Sequence, residues 1–431
     1  MTPATSPTVV CYDCGSAFSF PERTRCDCGE PLWFDVELEP GDFGAAVYAA
    51  VRQEGSDVGP TAADPPASAT SIWRYATGLP GVAPVGLASG TGGTPLYRLA
   101  ALDDYAGCTL RVKHEGVNPT GSFKDRGTAV AVSHVAATGG DWIGTVSHGN
   151  MALSTAAYAA SAGLECAVFV PAHTPASRLE TIGQHGPHVF AVDGDYGRLY
   201  EETLALADET GVRFVNSDTP LRVAGQKTVA YEIVEALATD PPDAIALPVS
   251  SGGHASGVWK ALRELRAVGL LDSLPRIYLV QAAACDPIAA AYREGYAEVT
   301  PVTPGETIAV SIANPDPPSG TRALAAVRET GGAVCSVDDD AIGEAGERLA
   351  TDAGLSVEPS SATALAGVRE LARRGEIAPD DSVALVLTGS GYKYQEAGGG
   401  DDQVASVRRV TLDEIAVALE DVTGGDGGQR T

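Results

Sequence analysis

A lysine placed directly after a tight turn is a ready nucleophile for an aldehyde, and this chain holds one. The run Asn118-Pro119-Thr120-Gly121-Ser122-Phe123-Lys124-Asp125-Arg126-Gly127 leaves a strand-like segment and opens a helical one. The chain has five lysines, at 113, 124, 227, 260 and 393. A lysine of lowered pKa forms Schiff bases with carbonyl cofactors. Taken alone, Ser-Phe-Lys also fits a solvated lysine at a helix start. A second cluster lies near the N-terminus, where Cys11-Tyr-Asp-Cys14 and Cys26-Asp-Cys28-Gly29 form two close pairs. Two such pairs can set four thiolates tetrahedrally around one Zn²⁺, and a four-cysteine site is closed, hence structural rather than catalytic. Four buried or redox-active cysteines are the alternative. The remaining cysteines, 108, 166, 285 and 335, are scattered among apolar neighbours.

The elements that must hold these residues alternate strand and helix. The spacing predicts strands over 108–115, 142–147, 165–172, 188–194, 213–217, 244–249, 277–285 and 382–388. Helical periods lie between them, over 128–138 and 151–163 among others. Short β-branched runs separated by helical periods imply a mainly parallel sheet with helices on both faces. In such sheets ligands sit at the carboxyl ends of strands. Two segments run from a buried strand into glycine there: Ala244 to Gly253, and Ser382 to Gly391. Backbone N–H groups at the start of the helix after Ser250-Ser251-Gly252-Gly253-His254 could cradle a phosphate, although a Gly-Gly turn alone is also just a turn. A protonated His254 would add charge there, or the ring would cap the helix. Residues 55–70 are rich in Gly, Pro, Ala and Ser and are expected to form an exposed linker.

Composition sets outer limits. Of 431 residues, 44% are hydrophobic and 20% charged, which supports two or three globular domains and excludes global disorder. Acidic side chains number 56 against 29 basic, a formal charge of −27. Such a chain does not bind nucleic acid or an anionic membrane through its net charge. Abundant carboxylates with so few lysines are expected of a protein adapted to high salt. No apolar run is long enough for a transmembrane helix, and no secretion signal is expected at the N-terminus. A cytoplasmic location is therefore expected.

With its flanks, the Lys124 segment resembles the pyridoxal-phosphate (PLP) lysine region of the threonine synthase family, whose fold is tryptophan-synthase-β-like. Further segments match in order. Thr145-Val-Ser147-His148-Gly149-Asn150 is similar to the family's Ser-x-Gly-Asn loop. Asn216-Ser217-Asp218-Thr219-Pro220-Leu221-Arg222, with Gly225-Gln226-Lys227-Thr228 after it, is similar to its Asn-Ser-x-x-Pro-x-Arg stretch. Leu387-Thr388-Gly389-Ser390-Gly391 is similar to its closing Leu-Thr-Gly-x-Gly segment. The resemblance spans roughly 90–395. His148, Asp218, Thr219, Ser250, Ser251 and His254 depart from the usual pattern.

The resemblance implies an α/β protein of PLP fold type II, two domains with parallel sheets flanked by helices, and an N-terminal zinc-ribbon-like unit. Its boundaries are expected at 1–40 for that unit, 41–130 with 226–420 for a large domain, 131–225 for a small domain, and 421–431 for a flexible tail. It implies PLP on Lys124, which also serves as general base and acid, with Asn150 at the cofactor's 3′-oxygen. Ser250, Ser251, Gly252, Gly253 and His254 would hold the cofactor phosphate, and Thr388 would face the pyridine nitrogen. Structural zinc would sit on Cys11, Cys14, Cys26 and Cys28. The implied reaction turns O-phospho-L-homoserine and water into L-threonine and phosphate, with Lys113, Ser147, Asn216, Ser217 and Arg222 around the substrate. Other readings stay open: a PLP enzyme of cysteate-synthase or threonine/serine dehydratase type, or a non-catalytic zinc-ribbon binding protein. The expected partner is a small phosphorylated amino acid, with a homodimer left open.

Overall fold

The structure, a computed structural model, describes residues 7–21, 23–43, 70–194, 196–393 and 407–423. Nearly all of the expected linker, and most of the expected tail, lie outside them. Fourteen strands are present among the described residues: β1 (Thr8–Val10), β2 (Ala17–Ser19), β3 (Trp33–Phe34), β4 (Leu96–Arg98), β5 (Thr109–His114), β6 (Trp142–Val146), β7 (Glu165–Pro171), β8 (His188–Asp193), β9 (Arg213–Phe214), β10 (Ala244–Pro248), β11 (Arg276–Ala282), β12 (Ala333–Val337), β13 (Ser382–Leu387) and β14 (Val407–Thr411). They make an antiparallel β2-β1-β3 sheet, a six-stranded β12-β11-β10-β13-β5-β4 sheet and a five-stranded β14-β8-β7-β6-β9 sheet. The two larger sheets are parallel throughout except for the β4–β5 edge.

The helices that matter for the site are α1 (Lys124–Ala137), α2 (Asn150–Ala162), α3 (Pro220–Gln226), α4 (Gly253–Ala267), α5 (Gly320–Thr330), α6 (Pro359–Arg373) and α7 (Ile415–Thr423). Side chains alternate across a strand, and β10 and β11 use both faces. Ile245, Leu247, Ile277 and Leu279 pack with α4 and α5, while Ala244, Ala246, Tyr278 and Val280 pack with α6. Helices thus cover both faces of the six-stranded sheet, as the strand–helix alternation predicts. The C-terminal segment departs from the expected division. β14 pairs with β8 and α7 packs on the same sheet, placing residues 407–420 there rather than in the large domain, and 421–423 in a helix rather than in the expected tail. The reason is burial: Val410, Ile415, Ala418 and Leu419 find apolar cover against Phe190 and Val192 there.

Directly behind Lys124 lies a buried ionic cluster. Arg126 donates from Nε to Glu115 Oε2 at 2.6 Å and from Nη1 to Glu232 Oε1 at 2.7 Å. Lys113 Nζ reaches Glu232 Oε2 at 2.6 Å and the Thr94 carbonyl at 2.5 Å. Two carboxylates face two cations, so the cluster is neutral. Thr94, Asn118, Thr228 and the Gly93 N–H meet remaining lone pairs and protons. Removing one partner from such a cluster leaves an uncompensated buried charge, which costs about 3–5 kcal/mol.

Glu232→Gln is therefore expected to lower unfolding stability by about 3–5 kcal/mol in urea titrations, and a loss under about 1 kcal/mol would contradict the cluster's role. Burial alone would raise the Glu232 pKa, but the Arg126 and Lys113 charges outweigh it and hold the carboxylate well below its ordinary 4.5. Its stabilisation is accordingly complete above pH 4.5 and is lost as acid drives protonation through the depressed value.

Candidate active site

Lys124 is the first residue of α1, and the turn before it is pinned from two sides. The Phe123 N–H donates to the Thr388 carbonyl at 3.0 Å, and the Ser390 N–H to the Gly121 carbonyl at 2.9 Å. Asp125 closes the turn by accepting from the Thr120 N–H and from Ser154 Oγ, both at 2.6 Å. The Lys124 loop is thus stitched to the carboxyl end of β13. Lys124 keeps some accessible side-chain surface, yet protein surrounds its amine, which lies 4.7 Å from the Phe123 ring centroid. Desolvation, aided by the nearby Arg222 charge and opposed by Glu358, lowers its pKa to about 7. A large share of the amine is then neutral and nucleophilic at neutral pH.

The Gly252–Gly253 turn meets α4 where the sequence predicts. Gly252 has φ +85°, and a Cβ there would overlap the Ser319 carbonyl; one on Gly253 would overlap the Ser217 carbonyl. Only glycine lets the backbone come this close. Ser251 accepts on its carbonyl from the Ser319 N–H at 2.9 Å and on Oγ from Asn314 at 3.0 Å. His254 stacks on Phe123, 4.1 Å between centroids and 16° between planes. Burial drives its pKa down to about 3, so the ring is neutral, which corrects the protonated alternative. Both its nitrogens are buried without a partner. Free α4 N–H groups, a close-approach glycine turn and an orphaned imidazole fit a phosphate beside an aldehyde bound to Lys124.

Asn150 opens α2. Its Nδ2 donates to both Glu358 oxygens, at 3.0 and 2.8 Å, and its Oδ1 accepts from Lys393 Nζ at 2.7 Å. Lys393 and Glu358 approach to 3.4 Å. Thr388 is buried at the end of β13. Glu358, just before α6, is a site residue that the sequence reading missed; its one local signal, an acid before Pro359 at a helix start, speaks of helix geometry only.

The expected substrate residues divide. Asn216 is buried, accepts on Oδ1 from the Val146 N–H at 2.9 Å, and leaves Nδ2 without a partner. Ser147 follows Val146, and its Oγ accepts from the Gly149 N–H at 3.3 Å. Ser217 is buried beside Gly253. Arg222 and Lys113 turn inward instead. Arg222 is fully buried and donates to Val215 O at 2.8 Å, Lys124 O at 3.2 Å, Thr155 Oγ1 at 2.7 Å and the Thr128 hydroxyl. A fork spent on these acceptors does not clasp a phosphate. Arg222 acts as a fixed cation under Lys124, and Lys113 belongs to the Glu232 cluster.

At the N-terminus the four cysteine sulfurs lie within 4.8 Å of one another. Cys11–Cys28 measures 3.6 Å, Cys14–Cys26 3.5 Å and Cys14–Cys28 4.0 Å. No disulfide joins them. A tetrahedron with Zn–S bonds of about 2.3 Å has edges of about 3.8 Å. The observed separations bracket that value.

Residues 87–389 match the family model described as "Pyridoxal-phosphate dependent enzyme". The threonine synthase of Methanocaldococcus jannaschii is 37% identical over 90% of this chain and 93% of its own length. That of Methanosarcina acetivorans is 38% identical over 74% of this chain and 79% of its own. Among solved structures, a T.th. threonine deaminase superposes with a TM-score of 0.58 at 28% identity, covering 71% of this chain and 94% of that one. Maize serine racemase superposes with a TM-score of 0.60 over 69% and 88%, and at 24% identity that likeness is one of fold.

With five lysines, isotope-labelled methylation of the cofactor-free protein resolves each amine by NMR. Lys124 is expected to titrate near 7, its neutral share rising with pH from about a tenth one unit below to about nine tenths one unit above. Arg222→Gln, which removes a neighbouring cation, is expected to move that midpoint upward. An ordinary midpoint near 10.5 would contradict the buried-amine geometry.

Proposed function

This chain belongs to the pyridoxal-phosphate dependent enzyme family, and from that premise we propose that it is a lyase of the threonine synthase kind, converting O-phospho-L-homoserine and water to L-threonine and phosphate. The observation that carries the assignment is the 37% identity to the Methanocaldococcus jannaschii threonine synthase across 90% of the chain. The geometry around Lys124 supports it independently of that likeness.

PLP, when bound, supplies an electron sink that stabilises negative charge at the substrate carbon beside the amine. The chain's residues supply the rest. The Lys124 amine, neutral in large part near pH 7, takes a proton from the substrate Cα and delivers it again along the chain. The N–H groups at the start of α4, with His254, would hold the cofactor phosphate. Asn150 would hold the ring's oxygen, and the Thr388 hydroxyl, at the end of β13, would serve the pyridine nitrogen. A hydroxyl partner would leave that nitrogen largely unprotonated, giving a milder sink that suits elimination and replacement.

Loss of phosphate from the substrate's Cγ develops charge several bonds from the cofactor, so a separate set of donors must meet it. The unpartnered Nδ2 of Asn216 and the hydroxyls of Ser147 and Ser217 are offered for that role. Arg222 contributes its charge from behind Lys124. A structural zinc on Cys11, Cys14, Cys26 and Cys28 belongs to the same proposal, supported by the sulfur separations. The lysine-poor, acidic composition supports a high-salt cytoplasm as the setting.

Purified protein in high KCl, given O-phosphohomoserine, phosphoserine or threonine, is expected to release phosphate and threonine from the first alone. Phosphate from phosphoserine, or keto acid from threonine, would overturn the assignment in favour of another PLP chemistry. Asn216→Asp sets a carboxylate against the substrate phosphate and is expected to raise KM on the order of tenfold or more while the cofactor absorbance persists.

A further inference from the structure

Among the contacts between the four-cysteine unit and the body of the enzyme, one arginine of the unit reaches segments that back the phosphate turn. Arg25 immediately precedes Cys26, and its Nη1 donates to the carbonyl of Gly29, inside the second cysteine knuckle, at 3.0 Å. The other end of the fork leaves the unit. Nη2 pairs with Asp218 Oδ2 at 2.6 Å and donates to the Pro318 carbonyl at 3.3 Å. These two acceptors are distant in sequence, and each adjoins a residue that backs the Gly252–Gly253 turn. Ser217, next to Asp218, presents its carbonyl to Gly253, and Ser319, next to Pro318, presents its carbonyl to Gly252. The Ser319 N–H also donates to the Ser251 carbonyl at 2.9 Å.

Two further contacts tighten the same junction. Arg322, fully buried, donates to the Pro31 carbonyl of the cysteine unit at 2.9 Å and to Ser319 Oγ at 3.1 Å. Asp218, 3% exposed, also accepts from the Tyr200 hydroxyl. The floor of the turn is therefore two segments, 217–218 and 318–319, clamped from beneath by arginines that answer to the cysteine unit.

We infer that Arg25 is a positioning residue for the cofactor phosphate: it holds Asp218 and Pro318 so that the Gly252–Gly253 turn and the start of α4 keep their phosphate-binding shape. The N-terminal unit thereby sets affinity for the phosphorylated cofactor. Position matters here because donors at a helix N-terminus are effective only when aimed at the anion. This inference rests on the assignment of 250–254 as the phosphate turn, and the test separates the two.

Cofactor-free protein, with zinc content and melting temperature checked for every variant, is titrated with PLP and with pyridoxal, which has the aldehyde but no phosphate. Arg25→Ala is expected to weaken PLP about tenfold, as the loss of a charge-assisted contact allows. Pyridoxal should stay within about twofold, and Arg25→Lys should restore part of the loss. An arginine that merely fastens the unit to the body would weaken both ligands alike, and that outcome, or no change in either, overturns the inference. If Arg25→Ala does not fold, Asp218→Asn, which keeps shape and drops the ion pair, must give the same selective loss. Gly252→Ala, which collides with the Ser319 carbonyl, reports on the turn itself. Should it leave PLP affinity intact, the phosphate-turn assignment fails; should it weaken PLP while Arg25→Ala does not, only the positioning role fails.

Discussion

The buried pairing of Arg126 with Glu115 and Glu232 governs the chemistry two residues away. Both carboxylates are spent on Arg126 and Lys113. Lys124 gains no stabilising anion from them. What acts on its amine is desolvation and the Arg222 cation, with only Glu358 opposing. A neutral nucleophilic amine at neutral pH is thus a consequence of where the acids are committed. The same cluster fixes the loop geometrically, since Glu115 opens it, Arg126 follows Lys124 and Glu232 lies on the far helix.

Around that fixed amine the fold gathers positive ends of dipoles. α1, α2, α4 and α6 all begin at the carboxyl ends of strands β5, β6, β10 and β13 or at the loops pinned to them. Helix starts favour anions. A chain with formal charge −27 repels a phosphorylated ligand at long range, so local donors must outweigh the global field. Asn216 Nδ2 and the single N–H of the neutral His254 ring are buried here without a partner, which leaves both donors available to an anion. Glu358 is the counterweight, held by Asn150 and Lys393.

Much of this was legible in the sequence because it is local. The turn before Lys124, the Gly252–Gly253 turn and the strand ahead of Thr388 carry their geometry in short spacing, and the strand–helix alternation carries the parallel sheets. The residues that resisted reading have roles set by distant partners. Arg222 looks like a phosphate fork until Val215, Thr128 and Thr155 absorb its donors. Lys113 looks available until Glu232, far along the chain, is seen beside it. Glu358 and Arg25 gave no chemical signal, since each matters only through contacts made across the fold. β12 and β14 also escaped, being short strands whose pairing is decided by neighbours.

The account stands on Lys124 as the amine that carries the cofactor. Borohydride reduction of the PLP-loaded protein, followed by proteolysis and mass analysis, tests this most directly. The predicted result is one reduced pyridoxyl group per chain, on the peptide bearing Ser122-Phe123-Lys124. A label on Lys113, Lys227, Lys260 or Lys393, or no label at saturating PLP, would contradict it.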